Sequence, residues 1–175
     1  MKFIKSTVLC LFASLLLLSC NKSQDAAKYN DQIIGYQTPI IEKMLELSKA
    51  IETQDSAAMF SKLQELNDRI DVSIAGMQKL EKFDDKTQLK EKMLKAFEFY
   101  KSISMNEYKT IIEIVAKPDD AVTTEDVELL NKIATEVSAK ETEIDNQVEA
   151  AQKAFAKENN MELTDNKLQQ EIDKK

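Results

Sequence analysis

Histidine is absent from the 175 residues. Without an imidazole there is no general base of the commonest kind, no Ser-His or Cys-His pair, no histidine for haem and no usual catalytic zinc site. The Glu-x-x-His ligand pairs of di-iron bundles are excluded on the same ground. Cys10 and Cys20 are the only thiols. Gly-x-Ser-x-Gly elbows and phosphate loops are missing, and neither Gly35 nor Gly76 lies in a calcium-binding loop. The acid pairs Asp84-Asp85 and Asp119-Asp120 fall at junctions between predicted helices, where capping accounts for them. These residues point away from an enzyme, and they imply no metal and no cofactor.

One constellation interrupts an otherwise apolar pattern. Asn30 and Gln37 are seven residues apart on the first predicted helix, and Glu141 sits between Val137 and Ile144 on the fourth. A polar group in an apolar stripe costs free energy unless it is paired. Such residues fix helix register or lie along a solvated edge. The alternative is a polar niche for a small ligand in the core.

The elements that must position these residues are helices. Gly 2 and Pro 2 are too few for a sandwich or barrel, which needs turn residues at each corner. Four segments carry apolar residues at steps of three and four. The first spans 27–53 with Ile33, Gln37, Ile40, Met44, Leu47 and Ile51. The second spans 56–82 with Met59, Leu63, Leu66, Ile70, Ile74 and Met77. The third spans 86–116 with Leu89, Met93, Phe97, Tyr100, Ile103, Tyr108, Ile111 and Ile114. The fourth spans 124–157 with Val127, Leu130, Ala134, Val137, Ile144, Val148 and Phe155. Short connections between such helices favour antiparallel neighbours. The predicted fold is all-α, an up-down-up-down four-helix bundle over 28–158, with a polar tail over 159–175. The loops at 54–55 and 117–123 then share the pole far from the N-terminus, the most accessible place for a partner.

Local punctuation agrees with these bounds. Asp55 can cap the second helix, Asp85 with Gln88 approximates a capping box for the third, and Thr123 or Thr124 can cap the fourth. Pro39 lies mid-stripe without a phase slip, and Gly35 sits where its ring would press, so a kinked but continuous helix is expected; the rival is a break with Thr38 as cap and Pro39 as the first residue of a new helix. Gly76 marks a close helix approach or a weak point.

The N-terminus carries a different pattern. Lys2 and Lys5 precede an apolar run, Val8 to Leu18, that is too short for a span of roughly 20 residues. It ends in Leu17-Leu18-Ser19-Cys20. This tetrapeptide resembles the lipobox of bacterial prolipoproteins: an aliphatic residue at minus three, a small one at minus one, then Cys. The resemblance implies that 1–19 is a signal peptide, that the Cys20 thiol receives a diacylglyceryl group, and that the freed amine can be acylated. Cys10 would leave with the leader, so the mature chain would have no thiol to spare for a disulfide. In the same family an Asp after the lipidated Cys often marks inner-membrane retention; Asn21 stands there, which implies the outer membrane. Residues 20–27 read as the lipidated Cys and a polar tether of at most ~25 Å. Losing Lys2 and Lys5 takes the formal charge from −7 down by two to −9. An anionic leaflet repels such a body, so lipid must do the attaching. The same charge speaks against nucleic acid as a partner.

Asp55-Ser56-Ala57 resembles the three-residue acceptor of a general bacterial O-glycosylation system, which would make Ser56 the acceptor. Taken together, the residues suggest a helical envelope lipoprotein, non-enzymatic, anchored by lipid and serving an unidentified envelope protein as an interaction or scaffold module. A periplasmic bundle that binds a small ligand is the alternative.

Overall fold

The computed structural model describes residues 13–16, 21–83 and 86–165. It is built from helices α1 (Asn21–Glu52), α2 (Ser56–Lys79), α3 (Leu89–Met105), α4 (Glu107–Val115) and α5 (Thr124–Glu158), with a 3₁₀ turn at Asp119–Ala121. The body is all-α. Strands β1 (Ala13–Leu16) and β2 (Glu162–Asp165) form a short antiparallel pair with Leu15 opposite Leu163. The rest of 1–19 and Cys20 lie outside the described residues, as do Asp84 and Asp85.

Local signals explain most of the helix ends. The Asp55 carboxylate accepts from the Ala58 N–H at 3.0 Å and caps α2. Thr123 and Asp126 form a reciprocal capping box at the start of α5. α1 stays helical through Pro39. Proline offers no N–H to the carbonyl four residues back, and its ring crowds that turn. The Ser73 hydroxyl of α2 donates to the Tyr36 carbonyl at 2.8 Å, within the turn that the proline disturbs. Gly76 is a close approach. A Cβ there would lie 2.2 Å from Tyr36 Cε1.

Several boundaries differ from the sequence expectation. Of the tether expected over 20–27, residues 21–27 instead open α1, which is helical from Asn21 and buries Ser23, Ala26 and Ala27. Small side chains let these turns pack closely, and Ser23 Oγ donates to the Asn159 carbonyl at 2.9 Å. The third rod is two helices that meet at Asn106. Asn106 uses both its backbone N–H and its Nδ2 on the Ser102 carbonyl, at 3.2 and 2.8 Å, a local competition with the helical ladder. The stripe already slips there, because Ile103 and Tyr108 are five residues apart. α3 starts at Leu89, later than expected, since Gln88 is left-handed with φ 54° and cannot be an interior helical position.

The tail past 158 is not wholly polar padding. Asn160 adopts φ 52°, its N–H reaches the Lys157 carbonyl, and the Met161 N–H reaches the Ala156 carbonyl at 2.8 Å. That is the Schellman pattern, with Asn in place of Gly at the left-handed residue. It turns Met161 back onto the core, where it is buried beside Asn159.

α1 packs on α2, α2 on α3 and α3 on α5, and α4 adds contacts to α2 and α5. Lys43 meets Glu65 at 2.7 Å and Lys62 meets Glu46 at 2.9 Å, so α1 and α2 run antiparallel. Lys101 meets Asp71 at 2.6 Å and Ser104 Oγ donates to Asn67 at 2.7 Å, which sets α3 antiparallel to α2. Lys92 donates to Gln147 at 3.0 Å across α3 and α5. At the N-terminal end of α1, Tyr29, Phe83 and Phe155 form a three-ring cluster with centroids 5.3 to 5.8 Å apart. The core runs from this cluster through Ile33, Ile40, Met93, Phe97 and Tyr100 to Met59 and Ile112.

Candidate functional site

Asn30, Gln37 and Glu141 are all buried. Asn30 and Gln37 lie on α1 on either side of Ile33, two turns apart, as their spacing requires. Glu141 lies on the stripe of α5 between Val137 and Val148. The structure does not join the three. Among the described residues Asn30 Nδ2, Gln37 Oε1 and Glu141 Oε1 are buried with no hydrogen-bond partner. Asn30 lacks an acceptor and Gln37 lacks a donor, so the two α1 amides have opposite unmet needs.

Glu141 is 4% exposed. Burial pushes its carboxyl up to about 8, and the neighbouring Asp145 adds a like-charge contribution. Burial also lifts Asp145 to about 7. The two acids are four residues apart and share one face of α5. No lysine contributes to either shift. At neutral pH Glu141 is therefore mainly a neutral carboxylic acid, able to donate as well as accept. Asp145 was not singled out from the sequence; its signal was its place one turn beyond Glu141.

The contrast is a surface cluster across α1 and α2. Lys43 and Lys62 each reach both Glu46 and Glu65, at 2.7 to 3.0 Å. Hydrogen bonds to Glu65 and Glu46 hold Lys43 above the usual lysine range, and bonds from Lys62 and Lys43 hold Glu46 below the usual carboxylate range. The side chains are about a quarter to two-fifths exposed, and the group is an alternating square of charge. It pins one helix to the other and offers no vacant charge for a ligand.

Ser56 is exposed at the first residue of α2, while the adjacent Asp55 carboxylate is occupied by its cap. Phe97 and Tyr100 are buried, and Phe99 is half-buried against the core, so the aromatic third rod is mainly packing. Among the described residues no group of three Cys, Asp or Glu side chains converges as a metal site. No helix there is long and apolar enough to cross a membrane. Comparison of the chain with family models, curated proteins and solved structures gave no match.

Proposed function

We propose that this chain is a bacterial envelope lipoprotein whose helical body is a non-enzymatic interaction or scaffold module. The observation that carries the reading is Leu17-Leu18-Ser19-Cys20 at the close of an apolar run preceded by Lys2 and Lys5. Residues 1–19 are the signal peptide in this reading, Cys20 carries the lipid, and Asn21 favours the outer membrane. The body is an up-down-up-down bundle with α3 and α4 as one interrupted rod. The antiparallel contacts between α1 and α2, α2 and α3, and α1 and α5 support that topology. Because α1 is helical from Asn21, the lipid would attach directly to the body with almost no slack. Cleavage before Cys20 removes β1 and leaves β2 without its partner strand. The membrane, through the lipid, and an envelope protein are the partners.

Mass spectrometry of the native protein tests this. The expected species begins at Cys20 and carries the mass of a diacylglyceryl group. Replacing Cys20→Ser should release the protein from the membrane fraction. A native chain with residues 1–19 present and an unmodified Cys20 thiol overturns the anchor. The same spectra test Ser56, whose exposure at the α2 start leaves room for a glycan.

The second reading is a periplasmic bundle that takes a small polar ligand. The unpartnered Asn30 Nδ2, Gln37 Oε1 and Glu141 Oε1 favour it. Under that reading Gln37→Leu abolishes binding; under the first it raises stability and changes nothing else.

A further inference from the structure

The buried polar residues are not spread evenly through the core. Among the described residues, Ser73 lies between α2 and α1 and Ser104 between α3 and α2, and each hydroxyl donates to the facing helix. The other buried polar side chains are Ser23, Asn30 and Gln37 on α1 and Glu141, Gln152 and Asn159 on or just past α5. Helix geometry gathers them on one seam. Lys43 marks the α2 side of α1 through its pair with Glu65. Asn30 and Gln37 lie about 140° and about 120° around α1 from it, at ~100° per residue. Gln147 marks the α3 side of α5 by accepting from Lys92. Glu141 and Asp145 lie about 120° and about 160° around α5 from it. Both sets therefore point into the seam between α1 and α5, whose near end is fixed where Ser23 donates to Asn159 and Tyr29 meets Phe155.

The two sets are also level. Counted from the Tyr29–Phe155 contact, Glu141 stands opposite Lys43. Counted through Lys43–Glu65, Lys101–Asp71 and Lys92–Gln147, it stands opposite Ile34. Gln37 falls between these limits. The backbones of α1 and α5 approach less closely than those of α1 and α2 or of α3 and α5. Beyond Ser23 the seam is not fastened by these side chains: among the described residues, Asn30, Gln37, Glu141 and Asp145 make no hydrogen bond across it, and Asn30 Nδ2, Gln37 Oε1 and Glu141 Oε1 are without partners. α1 is held on its other side by the Tyr36 ring at Gly76 and by the Ser73 hydroxyl.

Among the described residues no cation answers the two acids. At their level α3 carries Lys92, bonded to Gln147, and Lys95 and Glu98, which are exposed. α1 carries Asp31 and Glu42, both exposed, and Lys43, held in the charge square with α2. α4 packs nearer the start of α5; its Lys109 pairs with Glu113, and Glu107 is a further acid. Glu162 of β2 and Lys140 of α5 are exposed. The charge that acts on Glu141 is Asp145, and burial raises both. A proton lost from either leaves an unanswered charge in a dry seam, and two losses leave like charges one turn apart. Asp145 is only half-buried, so water has the shortest way in beside it.

We propose that the seam between α1 and α5 is a pH-sensitive gate: it parts when Glu141 and Asp145 ionise and closes when they regain their protons, while the α1–α2 and α2–α3 seams stay shut. The parted form gives the acids back to water and binds fewer protons than the closed form. Rising pH therefore favours opening, from the ordinary carboxylate range up to the closed values of about 8 and about 7. The gate goes beyond the interaction-module reading and does not depend on where the chain is anchored.

Thiol accessibility tests it. Ile41→Cys places a probe at a fully buried position of α1, about 160° around the helix from Lys43 and so within the seam. Ser104→Cys places a control between α2 and α3. The full chain in neutral detergent reacts with dithiodipyridine at pH 5 and pH 8, and each rate is divided by that of the same chain in urea at the same pH. Peptide mass spectrometry separates the introduced thiol from Cys10 and Cys20. The normalised rate for Ile41→Cys should rise by about tenfold or more between the two pH values, and that for Ser104→Cys by less than about twofold. Adding Glu141→Gln with Asp145→Asn should abolish the rise.

A flat rate for Ile41→Cys, an equal rise for Ser104→Cys, or a rise that survives removal of both acids overturns the proposal. If a cysteine variant does not fold, an apolar fluorescent dye on the unsubstituted chain replaces it. The dye should bind more at pH 8 than at pH 5 with unchanged helical circular dichroism, and Glu141→Gln with Asp145→Asn should remove the difference. Equal dye binding at both pH values overturns the gate as well.

Discussion

α2 and α5 are both amphipathic helices of the same body, yet they treat their buried faces differently. α2 buries Met59, Leu63, Leu66, Ile70, Ser73 and Met77 in an unbroken row, and its one polar member, Ser73, gives its hydroxyl to Tyr36. α5 buries Ile133, Val137 and Val148 but places Glu141 among them without a partner, and it exposes Val127. α2 lies between two antiparallel neighbours along its length and has its polar groups answered. α5 leaves Val127 exposed near its N-terminal end and carries a desolvated acid pair near its middle. The lesson is that α2 answers its buried polar group with a partner from α1, whereas α5 buries an acid that no neighbour answers.

The strongest way to sharpen this contrast is Glu141→Gln. Glu141 has its folded pKa raised from 4.5 to about 8, and Asp145 has its own raised from 3.8 to about 7. Well below the unfolded values of 3.8 and 4.5 both are protonated in folded and unfolded chains and cost little. As pH rises from about 4 to about 8 the unfolded chain releases these protons and the folded chain keeps them, so stability falls across that window. Glu141→Gln should raise stability by up to several kcal/mol at pH 8 and have little effect at pH 4. Urea unfolding at pH 4, 6 and 8 measures it. An unchanged slope would mean that α5 is no more strained than α2.

Gly76→Ala attacks the opposite side of the comparison. Its added methyl would meet the Tyr36 ring, and overpacking of this kind costs about 1–3 kcal/mol. The midpoint of thermal unfolding should fall, and Tyr36→Ala in the same chain should recover part of the loss. Full tolerance of the alanine would show that α1 and α2 are not held as closely as α5 is loosely.

Ser73→Ala removes the donor to the Tyr36 carbonyl beside Pro39 and should cost about 1 kcal/mol. The smallest effect belongs to the exposed charge square. Lys62→Ala should shift the melting temperature slightly at low salt and not at all in 1 M salt, since exposed ion pairs are screened.

The parts of this molecule legible from residue order are those decided within a few residues. The caps at Asp55 and Thr123 are local hydrogen bonds, so their residue types announced them. The burial of Asn30, Gln37 and Glu141 followed from helical periodicity alone. The break at Asn106 was readable in principle, through the five-residue step from Ile103 to Tyr108, and so was the Asn159-Asn160 stop before Met161. Asp145 was harder to find, because its desolvation depends on what packs over it and not on its neighbours in the chain.

Composition and spacing determined that this is a histidine-free, acidic, helical chain with an apolar N-terminal run followed by a cysteine, because charge, residue type and period are properties of the covalent string. Only the tertiary structure decided that residues 21–27 pack as helix, that a tyrosine ring occupies the notch at Gly76, that the carboxyl of Glu141 has no partner and that Val127 faces solvent. Each of these depends on where a distant helix begins, ends or crosses. That is set by how the helices are offset and cross in space, which no local pattern encodes.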